Sequence, residues 1–250
     1  MLTTILAAAA PHAENPYGLQ AALREGGIIA QSVFGIMVIM LFFSLYILFT
    51  KLFEQQKIIA QARRVRASFW SAASLREGAA KLEKNSAYRQ IVEDGLAAQE
   101  QHSRLTDPVE AHDWLHNSLA RSEADILSQL KKGLSFLATV GSTAPFIGLF
   151  GTVIGIIRAL VKIGSSGQAS IDAVAGPVGE ALIMTAVGLA VAVPAVLAFN
   201  WLQARNKKIS EDLSAFSNDI LGYLASNGAV RPAAAKGAPA KAAAATTTKG

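Results

Sequence analysis

The stretch LSFLATVGSTAPFIGLFGTVIGII, residues 134–157, decides the fold. It carries no charge over 24 residues, and about 20 apolar residues suffice to cross a bilayer as a helix. Yet it is studded with Gly, Pro and Thr. A helix facing only lipid does not need such residues; a helix that packs closely on others, or lines a polar path, uses them. The stretch ALIMTAVGLAVAVPAVLAFNWLQA, residues 181–204, has the same character, with a lone carboxylate, Glu180, at its head. A third uncharged block, Gly26–Thr50, precedes both. It is bulkier, with Phe34, Phe42, Phe43, Tyr46 and Phe49, and suits lipid contact on the outside of a bundle.

The reading is an all-α membrane protein of three transmembrane helices, with long helices extending into the cytoplasm. Apolar residues make up 52% of the chain and charged residues 16%, and the apolar ones fall in these blocks. The net charge of +5 does not point to nucleic acid, because 20 of the 23 Lys and Arg lie in 51–133 or after Gln203. That distribution follows the positive-inside rule and places the N-terminus outside and the C-terminus in the cytoplasm. With no cysteine, thiol chemistry is excluded. The expected organisation is a periplasmic segment with a short amphipathic helix (1–25), span one (26–50), a cytoplasmic helical domain (51–133), span two (134–157), a periplasmic link (158–179), span three (180–204), a cytoplasmic helix (205–229) and a disordered Ala/Lys/Pro tail (230–250). Met1–Ala10 only faintly resembles a signal sequence, and no essential cleavage is expected.

Thr106-Asp107-Pro108-Val109-Glu110 reads as a helix start, with Asp107 as N-cap, Pro108 in the first turn and Glu110 closing a capping box. No Pro follows until Pro145. A single helix from Pro108 to Ile157 is therefore expected, about 75 Å long at 1.5 Å per residue.

Span two presents Ala138, Gly141, Pro145, Gly148, Thr152 and Gly155 along one helical stripe. Span three presents Ala181, Thr185, Gly188, Ala192, Ala195 and Phe199 likewise. Narrow stripes of small residues invite contact with each other or with copies of themselves. Thr152 and Thr185 add hydroxyls, which a preceding turn can also satisfy. Glu180 admits two readings. A carboxylate at a membrane boundary suggests function; an exposed helix start at Pro177-Val178-Gly179-Glu180 would hold it by the helix dipole. Glu180 and Thr185 lie about 140° apart on an ideal helix. Arg158 and Lys162, at the outer end of span two, run against the charge rule and read as a solvated end. His112-Asp113-Trp114-Leu115-His116 resembles a helical zinc-protease motif, but Asp stands in place of Glu and no third ligand is evident. A solvated helix face is expected there, with no metal site; a membrane metallopeptidase is the enzyme-class alternative.

The residues Leu137–Gly141 and Ala144–Val153, with Gly179–Leu182, Thr185–Leu189 and Val193–Val196, resemble the ExbB/TolQ/MotA proton-channel family over about residues 15–228. Ala144-Pro145-Phe146 is closer to the ExbB branch than to the TolQ branch, where Ser-Pro-Tyr is usual; the MotA branch has four spans. The resemblance implies a homopentamer around a central pore, with an ExbD-like single-span dimer inside it and a TonB-like protein as the driven partner. It implies no cofactor and no enzymatic activity. Thr152, Thr185 and Glu180 match the family's polar pore positions, and Gly141, Pro145, Gly148, Gly155, Gly188 and Ala192 its pore packing. The implied role is energising import of siderophores, haem or vitamin B12 across the outer membrane of a bacterium, from the inner membrane. The alternatives are a TolQ-like subunit of an envelope system and a non-conducting membrane scaffold. Arg158 departs from the family, which commonly has a small or polar residue there.

Overall fold

The computed structural model describes residues 23–24, 26–105, 110–166 and 171–232, without the side chains of 166, 171–175 and 180. Residues 1–22 and 25 of the expected periplasmic segment, the capping residues Asp107 and Pro108, and the tail from residue 233 lie outside the described residues. Among the described residues there are six α-helices: α1 (Gly27–Ser68), α2 (Leu75–Ala80), α3 (Ala87–His102), α4 (Ala111–Lys131), α5 (Leu134–Ser166) and α6 (Ile171–Ala225), with a 3₁₀ turn at Phe69–Ser71. Three of the helices are long and apolar enough to cross a membrane, as the three uncharged blocks require.

The chain divides into two compact units, Met1–Thr50 with Gly133–Leu202 and Lys51–Lys132 with Gln203–Gly250. The first holds the apolar parts of α1, α5 and α6. Its core contains Val33 and Met37 of α1, Val140 and Ala144 of α5, and Met184, Val191 and Ala195 of α6. A smaller cluster of Leu134, Leu137, Ala198 and Leu202 lies at the other end of these segments. Ile36, Ile39, Phe42, Phe43, Tyr46 and Phe49 of α1 stay exposed, as bulky residues on a lipid-facing helix do.

The second unit has an apolar core of its own. Val65, Ile91, Val92, Leu115, Leu119, Leu130, Leu213 and Ile220 are buried together, and Phe69, Tyr88 and Phe216 meet edge to face around them. The helix ends are explained locally. Ser74 caps α2 by accepting from the Glu77 amide at 3.3 Å, and the Glu77 carboxylate reaches back to the Ala73 amide at 3.1 Å. Helix α6 ends where Gly228, at φ 87°, donates its amide to the Tyr223 carbonyl at 2.8 Å.

Two sequence expectations are corrected. The single helix from 108 to 157 does not exist: α4 stops at Lys131 and α5 begins at Leu134. The break is made by Gly133, whose φ of +86° is a left-handed conformation that side chains resist. The start is also displaced. Helix α4 begins at Ala111, so Glu110 stands at the N-cap position, and its side chain makes no capping bond.

Candidate functional site

The two stripes of small residues meet each other. A methyl built on Gly148 would lie 2.7 Å from the Met184 carbonyl oxygen and 3.2 Å from the Gly188 Cα. One built on Gly188 would lie 2.8 Å from the Ala144 carbonyl oxygen and 3.1 Å from the Gly148 Cα. Backbone thus runs against backbone at mid-contact. Toward one end, Gly155 faces Ala181, whose Cβ would be 3.0 Å away; toward the other, Gly141 faces Val196, whose Cγ2 would be 2.4 Å away. Only glycine allows this approach. Sequence had left open whether the stripes pack on each other or on copies, and within this chain they pack on each other. Gly151, beside the stripe, is as closely covered: its missing methyl would sit 3.0 Å from Met184 Cβ and 3.4 Å from Val33 Cγ1, so α1 closes over the same contact.

The polar candidates are placed unequally. Thr152 is buried, with 7% exposure, and its hydroxyl donates to the Leu149 carbonyl at 2.7 Å. Its hydrogen-bonding need is therefore met by its own helix. Thr185 is half-buried, and its Cα lies 3.3 Å from where a Gly148 methyl would stand. Since Gly148 faces Thr185 and Gly155 faces Ala181, Thr152 sits at the level between them. Glu180 lies nine residues after the first residue of α6. The helix does not start at Pro177, so the helix-start reading of Glu180 loses its geometric basis; its side chain lies outside the described residues. Ala192 is buried and Pro145 half-buried. Pro145, Pro177 and Pro194 all lie inside helices, and each leaves one carbonyl of the preceding turn without its helical donor.

Arg158 is not a solvated end. It is partly buried, and its guanidinium donates to the Gly26 carbonyl at the start of α1. A further contact that sequence gave no sign of is polar. In the second unit the buried Gln55 donates to Asn206 at 2.7 Å, and Asn206 donates to the Leu130 carbonyl at 3.3 Å. Lys51 donates to the Gln129 carbonyl at 2.8 Å. These bonds fall on carbonyls in the last turn of α4, where the helix stops before Gly133; the Gln129 carbonyl also accepts from the Lys132 amide at 3.2 Å. His112 and His116 are exposed on α4, with their rings parallel and 6.3 Å apart. Among the described residues no group of three metal-ligating side chains comes together.

Charge in the second unit is mostly local. Lys57 and Arg64 both reach Glu83, at 3.4 and 3.2 Å, and Gln61 donates to the same carboxylate, which these bonds hold below the ordinary range. Burial pushes the Tyr88 phenol up to about 12, with the Asp212 charge acting in the same direction. Burial also raises the Asp219 carboxyl.

The description of the MotA/TolQ/ExbB proton channel family matches residues 83–215, a stretch that takes in α5 and most of α6. The chain is 38% identical over 190 residues to the Biopolymer transport protein ExbB of Xanthomonas campestris pv. campestris, covering 72% of this chain and 75% of that protein. It is 50% identical over 118 residues to the Biopolymer transport protein ExbB of Neisseria gonorrhoeae, covering 47% and 54%. To the Tol-Pal system protein TolQ of Pseudomonas aeruginosa it is 35% identical over 165 residues, covering 62% and 70%.

Proposed function

The chain belongs to the MotA/TolQ/ExbB proton channel family, and from that premise we propose that it is the proton-motive-force-driven subunit that energises a TonB-like protein. That family is one of membrane channels and energisers rather than of enzymes. The observation that carries the reading is the likeness to proteins named Biopolymer transport protein ExbB, together with the family match over residues 83–215. The close contact of the α5 and α6 spans supports it, since Gly148 faces Thr185 and Gly155 faces Ala181, the levels that flank Thr152.

In this reading the protein sits in the bacterial inner membrane, N-terminus outside and C-terminus in the cytoplasm. It forms a homopentamer around an ExbD-like single-span dimer, and the driven import is of siderophores, haem or vitamin B12. Glu180 and Thr185 belong to the proton path, and Thr152 contributes from within the α5–α6 contact. Each unit charge crossing supplies about 2.3 kcal/mol per 100 mV. A TolQ-like role in envelope maintenance is the second reading, supported by the likeness to proteins named TolQ.

The test is proton flux in liposomes holding the chain with its ExbD-like partner. Glu180→Gln and Thr185→Val are each expected to reduce flux and siderophore-dependent growth together. Unchanged flux and growth in both variants would remove those residues from the path. Absence of any partner-dependent flux would favour a scaffold. Capture of a TolA-like rather than a TonB-like protein would favour the second reading.

A further inference from the structure

The polar junction at the end of α4 gathers bases from three helices. Asn206 touches the Leu130 carbonyl, Gln55 touches Asn206, and Lys51 touches the Gln129 carbonyl. Lys131 and Lys132 directly follow Leu130, and Lys207 and Lys208 directly follow Asn206. These four lysines are therefore brought to one end of the second unit, the end at which the chain passes to and from its apolar segments. All four are exposed.

Their pairing differs from that of seven other bases of this unit. Elsewhere in this unit Lys57 and Arg64 meet Glu83, Arg66 meets Asp212, Lys81 meets Glu77, Arg89 meets Glu93 and Arg104 meets Glu100. At the junction the nearby acid Glu54 is taken by Lys51 at 2.6 Å. Among the described residues Glu211, one turn beyond Lys207, makes no ion pair, and none of the four lysines has a carboxylate within 4.0 Å. Unpaired ammonium groups on flexible stems, set where apolar helices end, suit phosphate at a bilayer surface. On α6 an indole, Trp201, 46% exposed, precedes them by less than two turns, the kind of residue that sits at headgroup level.

We propose that Lys131, Lys132, Lys207 and Lys208 form a collar that binds the headgroups of anionic phospholipids. The collar goes beyond proton transport and does not depend on it. The occupant is a phospholipid and not free phosphate, because the bases stand at the ends of apolar spans rather than around a closed cavity. The amide junction of Gln55 and Asn206 holds the helices that carry the bases together.

The chain contains its own reporter. Of its three tryptophans, Trp70 and Trp114 pack against the core of the second unit. Bromine on lipid acyl chains therefore quenches Trp201, and W201F should remove the quenching. The full chain is reconstituted into phosphatidylcholine liposomes with rising fractions of acyl-brominated phosphatidylglycerol or acyl-brominated phosphatidylcholine. Half-quenching is expected at a fraction of the anionic lipid lower by about fivefold or more, the bias of one engaged lysine. K131Q/K132Q/K207Q/K208Q is expected to bring the two curves together while leaving the phosphatidylcholine curve unchanged. The arginine counterpart K131R/K132R/K207R/K208R keeps the preference, as does R63Q/R76Q/R121Q, which removes bases lacking a carboxylate partner away from the junction. Coincident wild-type curves, a preference that survives the glutamine variant, or a preference lost equally in R63Q/R76Q/R121Q would overturn the collar. So would displacement of the lipid by inorganic phosphate in the buffer, which would reassign the occupant.

Discussion

Gly148→Ala tests the central contact most directly. The added methyl would stand 2.7 Å from the Met184 carbonyl oxygen, with the Gly188 and Thr185 Cα atoms at 3.2 and 3.3 Å. All three obstacles are backbone, so no side-chain rotation relieves the clash. Ordinary contact begins near 3.4 Å, and the two helices must therefore separate by about 0.7 Å. A gap of that size forfeits a quarter to a half of the dispersion energy of the atom pairs it opens, and overpacking of a tight core costs about 1–3 kcal/mol. Alanine also favours a helix over glycine by about 1 kcal/mol. Gly35→Ala isolates that gain, since nothing lies within 4 Å of the methyl it would add. The helix gain is common to both variants and cancels, so the expected result is a protein less stable than G35A by about 1–3 kcal/mol, read from unfolding in mixed detergent micelles by circular dichroism. Gly188→Ala strikes the same gap from the other helix, at 2.8 Å from the Ala144 carbonyl oxygen. Once one methyl has parted the helices the second meets less resistance, so the double variant should lose about 0.5 kcal/mol or more less than the sum of the singles. If G148A proved as stable as G35A, the backbone-close packing of α5 on α6 would be wrong. Strict additivity would mean that each site yields locally, without the helices moving as bodies.

Two further outcomes follow from the second unit. Asn206→Leu removes the Gln55 bond at 2.7 Å and the bond to the Leu130 carbonyl at 3.3 Å, and it should lower stability by about 1–3 kcal/mol in the same unfolding assay. Tyr88 holds its proton more tightly when folded, up to about 12 against 10.0 for the free phenol, because it is buried and because Asp212 is near. Its contribution is therefore complete below pH 10.0 and lost as pH rises toward 12. Y88F should lack that alkaline part of the stability slope, and tyrosinate absorbance should lose one late-titrating group.

The three apolar helices were legible because charge is excluded from long blocks, and that constraint acts on composition alone. The meeting of the two stripes was half legible. Spacing fixed which residues share a face, and a face of Gly and Ala demands a close neighbour, but spacing cannot name the neighbour. The break between α4 and α5 was missed for a specific reason. Continuity was inferred from the lack of Pro between 108 and 145, and a glycine with positive φ ends a helix as well as a proline does. Gly133 stands after Lys131 and Lys132, where the pattern of a helix C-terminus was already present. The Gln55–Asn206 bond joins residues 151 apart in sequence. Asn206 shares the spacing of the buried Leu202, Ile209 and Leu213, so its burial was open to reading, but spacing cannot name Gln55 as its partner and only the tertiary fold reveals it.

The structure also changes what the hydroxyls can say about a polar path. Thr139 donates to the Ser135 carbonyl at 2.9 Å, Ser142 to the Thr139 carbonyl at 3.0 Å and Thr152 to the Leu149 carbonyl at 2.7 Å. Each is satisfied by its own helix, so Ser142 and Thr139 can lie exposed on α5 without demanding water or a partner. Hydroxyls along these spans are therefore weak markers of a path. Asn200 is a stronger one. It is exposed on α6, and an amide with two donors and an acceptor cannot be satisfied by a preceding turn as a hydroxyl is. Its neighbours on the exposed face, Val193 and Leu197, are apolar and suit lipid. Whatever covers α6 at Asn200 must offer hydrogen bonds, which lipid tails do not. The small-residue stripe cannot supply that surface, because α5 already occupies it.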